Sequence, residues 1–322
     1  MLKGKKIAVV VPAFNEEKLI LKVLSTIPKF VDEIVVVDDC STDGTAAVVQ
    51  KAVSISDTGS QSARITLIKH EKNLGVGGAI SSGYQWCKDI SIDCTAVMAA
   101  DGQMDPNELA SICEPVVNEK VDYVKGNRLM HKSAWTVIPK LRYFGNSILS
   151  LLTKVASGYW RIYDTQTGYT AISLEALGAF DISKLYKNYG VPNDLLVKLN
   201  MANCTIREIG IRPIYNVGEQ SNMNFLKVIP RISLLLFKAF FKRLWVKYFF
   251  RNFHPLFIFY NLSFVFGLAS MPYMYKIYKS FETGQQMNYE PLFAFVLLSV
   301  FSFQFFAFAM WMDIQDNERL YK

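Results

Sequence analysis

The sequence has few of the residues that build metal centres and disulfide frameworks. Five cysteines show no Cys-x-x-Cys spacing, and the three histidines lie far apart in the chain. This scarcity argues against a zinc site or a disulfide-stapled fold, and free thiols suit a reducing compartment. The apolar run near the N-terminus is too short for a signal peptide and ends at Pro12, so we interpret it as a first β-strand.

Acidic residues are scarce in the C-terminal third of the chain. The whole sequence has 35 basic and 28 acidic residues, a net charge of +7. From Lys227 onward there are 11 basic and 5 acidic residues. Residues 1–226 therefore contain 24 basic and 23 acidic residues and are nearly neutral. A charged fraction of 20% together with 14% aromatic residues excludes a disordered chain. Because the positive charge is interleaved with apolar side chains, it favours a membrane-surface segment over a nucleic-acid binder.

The first half of the sequence alternates apolar strand-like runs with helix-like stretches. Predicted strands cover 7–11, 33–37, 65–68, 95–99, 121–125 and 169–173, and predicted helices cover 16–27, 76–88, 106–118 and 195–200, with one more from about Thr45. Continuous apolar strands separated by helices indicate an α/β fold, with a mostly parallel sheet covered on both faces. In such sheets the loops at the carboxyl ends of the strands usually hold the ligand.

The tail has the length and composition of a membrane anchor. Residues 256–275 and 291–312 carry no charge, and each run is long enough to cross roughly 30 Å of hydrocarbon; the alternative is a pair of buried core helices. Before them, 225–251 has seven basic residues and no acid, which predicts amphipathic juxtamembrane helices or a helix packed on its own domain. We therefore predict a domain over 1–224, juxtamembrane helices over 225–253 and two transmembrane helices over 254–322. The positive-inside rule puts the domain in the cytoplasm and the 276–290 connection outside it.

Candidate ligand-binding residues, most of them polar, follow three of the predicted parallel strands, where a ligand would meet the sheet. The residues concerned are Pro12, Ala13, Asn15 and Glu16 after the first strand, Asp38 and Asp39 after the second, and Asp101 and Gln103 after the fourth. Carboxylates at such an edge suit cations, hydroxyl groups or base N–H groups. Nearby Asp43 has a simpler interpretation, as a cap of the helix that begins at Thr45.

This set of loops resembles family 2 glycosyltransferases, and in detail the polyprenol-phosphate sugar transferases of the dolichol-phosphate mannosyltransferase type. The resemblance covers roughly residues 5–220. The further matching pieces are Asn73-Leu74-Gly75-Val76-Gly77-Gly78, Lys125-Gly126-Asn127-Arg128, Arg142 with Gly145-Asn146, Asp164-Thr165-Gln166-Thr167-Gly168-Tyr169, and Asn193-Asp194.

The resemblance implies a GT-A (Rossmann-like) fold, a UDP- or GDP-sugar donor, a divalent Mg²⁺ or Mn²⁺ ion and an inverting transfer. The donor would meet Pro12, Ala13, Asn15, Glu16, Asp38, Asp39, Gly75, Asp101 and Gln103. The metal would be held by Asp101 and Gln103, with diphosphate oxygens and water. The sequence departs from the family pattern at Ala99, where the first acid of Asp-x-Asp is expected, and one carboxylate fewer should weaken metal affinity.

The acceptor that the resemblance implies is a polyprenyl phosphate, whose chain would lie in the bilayer. Its phosphate would be gripped by Arg128 and Arg142, with Lys125 third, since a guanidinium can bind phosphate with two hydrogen bonds. The alternative for each arginine is a surface or intradomain salt bridge. Asp164 and Gln166 would line the sugar and acceptor pocket or form a turn. Asp194 would contact sugar hydroxyls or cap a helix.

The resulting prediction is an integral membrane enzyme with a cytoplasmic catalytic domain. Asp101, Arg128 and Arg142 are the predicted catalytic residues. Its partners would be a nucleotide-sugar, polyprenyl phosphate and the bilayer, without nucleic acid, and a homo-oligomer stays open. The alternatives are transfer to another membrane lipid and a non-catalytic homologue that binds nucleotide or lipid.

Overall fold

The computed structural model describes residues 1–57, 63–215, 225–284 and 289–322, and omits the side chains of residues 57, 141–142 and 225–228. The chain divides into two compact units. The first contains Met1–Phe240 together with Leu320–Lys322, and the second contains Phe241–Arg319. This division falls within the predicted juxtamembrane segment. The predicted boundary at 224/225 adjoins residues outside the described part.

A seven-stranded sheet forms the centre of the first unit. Its strands are β1 (Ile7–Ala13), β2 (Glu33–Asp38), β3 (Arg64–Lys69), β4 (Cys94–Val97), β5 (Tyr123–Asn127), β6 (Thr170–Ser173) and β7 (Ile206–Gly210). Their order across the sheet is β3-β2-β1-β4-β6-β5-β7. Only β6 runs antiparallel to its neighbours, so the other described strands all end at the same edge. The predicted mostly parallel α/β fold is confirmed.

Helices cover both faces of this sheet because the strands are apolar on both sides. In β1, Ile7, Val9 and Val11 belong to one buried cluster, whereas Ala8 and Val10 belong to the other. The helices of this unit are α1 (Ile20–Thr26), α2 (Thr45–Asp57), α3 (Val76–Asp89), α4 (Leu109–Glu119), α5 (Ala134–Val137), α6 (Lys140–Ser157), α7 (Leu174–Gly178) and α8 (Val191–Met201), and α9 (Phe225–Trp245) begins in it.

Local chemistry moved several of the predicted boundaries. The predicted helix over 16–27 begins only at Ile20, and the backbone N–H groups of Glu16 and Glu17 before it bond to the side chains of Thr45 and Asp43. Pro106 begins a 3₁₀ turn, Pro106–Glu108, rather than the α-helix that follows it. The helix predicted over 195–200 begins earlier, at Val191, with a proline in its first turn.

The last three residues of the chain belong to the first unit. Leu320 is buried in one of its two apolar clusters, and its carbonyl accepts a hydrogen bond from the backbone N–H of Ile206, at 2.7 Å. Tyr321 pairs with Ile206 in a parallel bridge on β7. The chain therefore returns to the first unit, which it left after Phe240, at Leu320.

The second unit holds two long apolar helices, α10 (Pro255–Thr283) and α11 (Tyr289–Glu318). Both are long and apolar enough to cross a membrane. They are longer than the uncharged runs of the sequence, so most of the predicted 276–290 connection is helix. The hydroxyl of Ser302 on α11 donates to the Ser263 carbonyl of α10 at 2.9 Å, which fixes the two helices against each other.

Two of the seven basic residues in the predicted juxtamembrane segment 225–251 are buried within the second unit. Arg243 and Lys247 were expected to face an anionic interface, but both are buried. Two guanidinium nitrogens of Arg243 bond to the Asp313 carboxylate at 2.7 and 2.8 Å, and Lys247 donates to Asn317. The prediction of a membrane-facing helix is wrong at these two positions, because Asp313, 70 residues away, neutralises Arg243 and sequence periodicity does not show distant partners.

Candidate active site

The carboxyl edge of the sheet brings together most of the residues predicted from the sequence. β1 ends at Ala13, β2 at Asp38, β4 at Val97 and β5 at Asn127, all on the same edge. The antiparallel strand β6 begins there, at Thr170. Loops from five strands thus surround one region, which is the usual ligand position in an open α/β sheet.

The loops after β1 and β2 are joined by hydrogen bonds. Asn15, which has a left-handed backbone with φ 59°, accepts the backbone N–H of Thr42 at 2.8 Å. The backbone N–H of Glu16 donates to the Thr45 hydroxyl at 2.8 Å. Asp43 accepts bonds from Thr45 at the start of α2, so its predicted capping role is confirmed. Pro12 and Ala13 pair with the end of β2, which places them beside Asp38.

Asp39 has a structural position that the sequence did not reveal. Its carboxylate accepts the backbone N–H groups of Leu74 and Gly75 at 2.8 and 2.7 Å, and it lies 2.7 Å from a ring nitrogen of His70. The other ring nitrogen of His70 lies 2.8 Å from the Ser82 hydroxyl. Asp39 therefore holds the glycine-rich loop in place, whereas Asp38 is buried at the strand end with the Ser41 N–H 3.4 Å away.

The glycines after β3 are explained by close backbone packing. Gly75 has φ +80°, and a Cβ there would lie 2.5 Å from the Lys187 carbonyl. A Cβ on Gly77 would lie 2.0 Å from the Tyr186 carbonyl. The Lys187 carbonyl accepts the backbone N–H of Gly77 at 2.8 Å, at the first turn of α3. The glycines thus let the loop before α8 approach α3, and a donor contact by Gly75 stays a prediction.

Two carboxylates from different loops meet near the end of β4. Burial, together with the negative charges of Asp101 and Asp43, raises the pKa of Glu16 to about 7. Asp101 accepts the backbone N–H of Gln103 at 2.9 Å, which holds the turn that carries both predicted metal ligands. The described residues contain no group of three or more His, Cys, Asp or Glu side chains placed to hold a metal. The carboxylate and amide oxygens present fit a hard cation that takes its remaining ligands from phosphate and water.

Lys125 on β5 is buried completely, whereas the predicted phosphate-binding role would suit an exposed side chain. Its ammonium donates to the Thr167 carbonyl just before β6. Burial lowers the pKa of Lys125 to about 8, against the opposing influence of the Asp164 and Glu208 carboxylates. Lys125 thus joins two strands at this edge, and its direct contact with an acceptor stays a prediction.

Arg128 forms an intradomain ion pair, the alternative that the sequence left open. Its Nε and Nη2 atoms donate to the two oxygens of Asp164 at 2.8 and 3.0 Å, and its Nη1 donates to the Tyr215 hydroxyl at 3.3 Å. Burial alone would raise the pKa of Asp164, but the Arg128 guanidinium holds it below its ordinary value. The pair fixes the direction of the guanidinium, and 19% of the Arg128 side chain stays exposed.

Glu208 on β7 supports this ion pair from behind. It accepts the backbone N–H groups of Tyr163 and Asp164 and the side-chain amide of Asn127, each at 2.9 Å. Burial raises the pKa of Glu208. Neither Glu208 nor Tyr215 was predicted from the sequence, because each acts on residues more than 40 positions away.

Gln166 and Asn193 meet at the start of α8. The side-chain amide of Gln166 donates to Asn193 Oδ1 at 2.9 Å. Within the described part of the chain, the buried Asn193 Nδ2 group has no hydrogen-bond partner. Asp194 accepts a hydrogen bond from the backbone N–H of Tyr186 at 2.9 Å and forms an ion pair with Lys198, so it holds the loop before α8. A buried donor without a partner is a place where a ligand oxygen can bind.

The remaining predicted site residue is Arg142. It lies in the first turn of α6, and its side chain falls outside the described part of the structure. The Tyr169 hydroxyl donates to the Asp105 carbonyl at 2.9 Å, which joins the loop after β4 to the residues before β6, and Lys125 on β5 bonds to Thr167 in those same residues.

Comparisons with known proteins agree with this geometry. The model of the family described as Glycosyl transferase family 2 matches residues 8–180. The UDP-N-acetylglucosamine–dolichyl-phosphate N-acetylglucosaminyltransferase of Methanococcus voltae is 30% identical over 66% of this chain and 88% of its own length. The undecaprenyl-phosphate mannosyltransferase of Micrococcus luteus is 26% identical over 68% of this chain and 88% of its own length.

A solved structure shows the same fold. Glucosyl-3-phosphoglycerate synthase from Mycobacterium tuberculosis, crystallised with Mn²⁺, UDP and glucosyl-3-phosphoglycerate, has a TM-score of 0.53 at 21% identity. The match covers 74% of this chain and 80% of that one. The predicted fold class and the predicted family resemblance are both confirmed.

Proposed function

This chain belongs to glycosyl transferase family 2 and is a glycosyltransferase, and we propose that it transfers a sugar from a UDP- or GDP-sugar to a membrane polyprenyl phosphate. The observation that carries the proposal is the arrangement of side chains along one sheet edge, with carboxylates after β1, β2 and β4 and, after β5, an arginine whose guanidinium is held by Asp164. Asp38, Glu16 and Asp101 lie at the ends of β2, β1 and β4, and Arg128 follows β5. A donor that binds cations and an acceptor that is an anion would sit side by side there.

The acidic part suits the nucleotide-sugar. Buried Asp38 at the end of β2 can accept hydrogen bonds from ribose hydroxyls or base N–H groups. Asp101, with Gln103 and neighbouring Glu16, would hold Mg²⁺ or Mn²⁺ against the donor diphosphate. When bound, such an ion neutralises charge on a departing nucleoside diphosphate. Ala99 removes one ligand of the family pattern, which favours a weakly held ion.

The basic part suits a phosphate acceptor. A phosphate monoester has a second pKa of about 6 and is mostly dianionic at neutral pH, so its oxygen is a nucleophile without a general base. The oxygen would attack the anomeric carbon from the face opposite the leaving group. A carbon–oxygen bond to the acceptor forms as the bond to the nucleoside diphosphate breaks, with inversion. Arg128, held by Asp164 and Tyr215, would offset the acceptor charge and orient it.

The sugar would lie between the two parts, near α8. The buried Asn193 Nδ2 group has no partner among the described residues, and Gln166 orients the same side chain. A sugar hydroxyl there would complete the hydrogen bonding of Asn193. Asp194 would act by positioning this helix start, since its carboxylate is already engaged by Tyr186 and Lys198. The two relatives are named for the transfer of different sugars, so the sugar that this chain transfers must be identified by assay.

The tail supports a lipid acceptor and a cytoplasmic active site. Two helices are apolar and long enough to span a membrane, and the segment before them is basic. Met1–Phe240 and Leu320–Lys322 are parts of one folded unit, so two crossings would return the chain to its starting side. By the positive-inside rule, that side would be the cytoplasm.

The direct test is a donor and acceptor panel with the full chain in detergent or proteoliposomes. UDP- and GDP-sugars are supplied with polyprenyl phosphate, with a neutral polyprenol, or with diacylglycerol, and lipid-linked sugar is measured in the presence of Mg²⁺ or Mn²⁺. We expect product with the phosphate and none with the neutral lipids. Product on a neutral lipid alone would overturn the acceptor assignment, and bound donor without product from any pair would favour a non-catalytic homologue.

A matched pair of variants tests the site. Asp101→Asn keeps an oxygen for the Gln103 N–H and removes the charge, whereas Asp89→Asn removes an exposed carboxylate at the end of α3. We expect Asp101→Asn to lower turnover by about 10²-fold or more and Asp89→Asn to leave it unchanged. Equal turnover in both variants and the wild type would remove Asp101 from the mechanism.

A further inference from the structure

Strand β7 is the last strand in the order of the sheet, and a short segment that follows α11 in the sequence covers its side away from β5. We name this segment, Leu320–Lys322, the strap. The backbone N–H of Ile206 donates to the Leu320 carbonyl at 2.7 Å, and the Ile206 carbonyl accepts the backbone N–H of Lys322 at 3.2 Å. An uncovered edge strand offers backbone groups to other chains, so the strap protects this part of β7.

The strap is fixed at both of its ends. Leu320 is 3% exposed and lies in an apolar cluster of the first unit. The Arg207 guanidinium donates to the Lys322 carbonyl at 2.7 Å and binds both oxygens of Glu119, at 2.7 and 2.6 Å. The Lys322 ammonium donates to the Lys120 carbonyl at 3.0 Å. These contacts hold the strap on β7 whether or not Tyr321, between them, keeps its side chain.

The side chain of Tyr321 contacts the loop that follows α6. Its hydroxyl accepts the backbone N–H of Arg161 at 2.8 Å. Its ring meets the Tyr159 ring edge to face, with 6.1 Å between the ring centroids, and the Arg161 guanidinium lies 5.8 Å from its centre. We name residues 158–164 the 158–164 loop. One side chain of the strap thus contacts this loop at three points.

The other end of the 158–164 loop carries the ion pair of the candidate site. Glu208, two residues beyond Ile206 on β7, accepts the backbone N–H groups of Tyr163 and Asp164 at 2.9 Å. The Asp164 carboxylate in turn binds the Arg128 guanidinium with two hydrogen bonds. Strand β7 and its strap therefore hold the loop on both sides of Ile162, which is itself buried.

We propose that Tyr321 is a positioning residue of the transferase. By holding the 158–164 loop, it keeps the Asp164 carboxylate, and with it the Arg128 guanidinium, in the orientation that binds the acceptor phosphate. This role rests on the proposed function, which assigns Arg128 to the acceptor. A guanidinium fixed in advance loses less entropy when it binds phosphate, and a small displacement of it lowers the fraction of acceptor that is bound productively.

The kinetic experiment compares Tyr321→Phe and Tyr321→Ala with the wild type, using the full chain in detergent. Phe keeps the ring and removes the hydroxyl, whereas Ala removes both. We expect kcat/KM for polyprenyl phosphate to fall about two- to tenfold in Tyr321→Phe, the range for one lost hydrogen bond, and further in Tyr321→Ala. KM for the nucleotide-sugar should stay unchanged, because the donor-side loops follow β1, β2 and β4. The control is Tyr278→Ala, at a tyrosine that is 63% exposed on α10, and it should match the wild type.

A second measurement needs no substrate. Amide hydrogen exchange of the 158–164 loop is followed by mass spectrometry in the wild type, Tyr321→Ala and Tyr278→Ala. Losing a contact that closes the loop raises the population of its open form, so exchange there should be about fivefold faster or more in Tyr321→Ala. Exchange of α3, in the same unit, should stay unchanged, because Leu320 and Lys322 still fix the strap.

Unchanged loop exchange in Tyr321→Ala would overturn the proposal, since the tyrosine would then hold nothing there. Faster exchange with a wild-type kcat/KM for the acceptor would overturn the positioning role. Equal losses of kcat/KM for donor and acceptor, with a lower melting temperature, would also overturn it, because a purely structural residue behaves in that way. A wild type that transfers no sugar to polyprenyl phosphate would remove the proposed function and this role with it, while faster exchange would still show that Tyr321 holds the loop.

Discussion

Replacing Asp164 by Asn tests the role of the ion pair in the candidate site. Asp164 is fully buried and accepts three hydrogen bonds from Arg128, two from the guanidinium and one from the backbone N–H. Asn has nearly the same volume but no charge, and its NH₂ group would face a guanidinium donor. Arg128 would then be left as a half-buried cation without its counterion.

The size of the effect follows from the burial of the pair. Removing one partner of a buried ion pair costs about 3–5 kcal/mol. Because part of the Arg128 side chain is exposed, we expect a cost at the lower end, about 3 kcal/mol. For a unit of this size each kcal/mol lowers the melting temperature by about 2–4 °C, so Asp164→Asn should lower it by roughly 6–12 °C.

The assay is thermal unfolding of the full chain in detergent, followed by intrinsic fluorescence. Asp181→Asn is the control, because Asp181 forms an exposed pair with Lys184 and Asn preserves its hydrogen bond to the Ser183 N–H. That variant should melt with the wild type. A melting temperature for Asp164→Asn within about 2 °C of the wild type would refute the reasoning, since a buried pair cannot be lost so cheaply.

The pH dependence of the same pair provides a second check. The pKa of Asp164 is below its ordinary value in the folded chain, so the pair contributes its full stability above the unfolded pKa of about 4. That contribution is lost as pH falls through the folded pKa. The difference between the wild type and Asp164→Asn should therefore be constant near neutral pH and shrink in strong acid.

Two further predictions concern the backbone packing and the buried lysine. Gly77→Ala should lower the melting temperature and donor binding, because its Cβ would lie 2.0 Å from a backbone carbonyl. Gly178→Ala is the control: there is open space around its Cβ, so in a thermal melt its melting temperature should match or slightly exceed that of the wild type. Between pH 8 and 10.5 the unfolded chain keeps the Lys125 proton that the folded chain releases, so wild-type stability should rise with pH relative to Lys125→Met. Parallel pH profiles of melting temperature would contradict the second prediction.

Much of the fold could be predicted from the sequence because its strands are continuous apolar runs. The runs at β1 and β2 have no polar alternation, so they had to be covered on both faces, and parallel pairing with helical crossovers is the arrangement that does this. The carboxyl ends of those strands then had to share one edge. Pro12, Asp38 and Asp101 could be assigned to a single site on that basis.

Partners at long sequence distance could not be predicted. Arg128 finds Asp164 after 36 residues and Arg243 finds Asp313 after 70, and neither pairing leaves a local signal. The same holds for Asp39, whose carboxylate could be interpreted as a free ligand but holds the loop that contains Gly75. The side that a helix buries is also a tertiary fact: Phe144, Ile148 and Leu151 on α6 are large apolar residues, yet the structure leaves them exposed.

The sequence by itself determined the α/β class, the sheet edge that carries the site and the two apolar helices, because these depend on composition and period along the chain, and the resemblance of its loop motifs indicated the family. Tertiary structure alone decided which charges are available for ligands. Lys125, Asp39 and Arg243 are already engaged with neighbours inside the fold. Burying a charge without a partner is costly, so the fold pairs its buried ions, and only the completed packing decides which remain for a substrate.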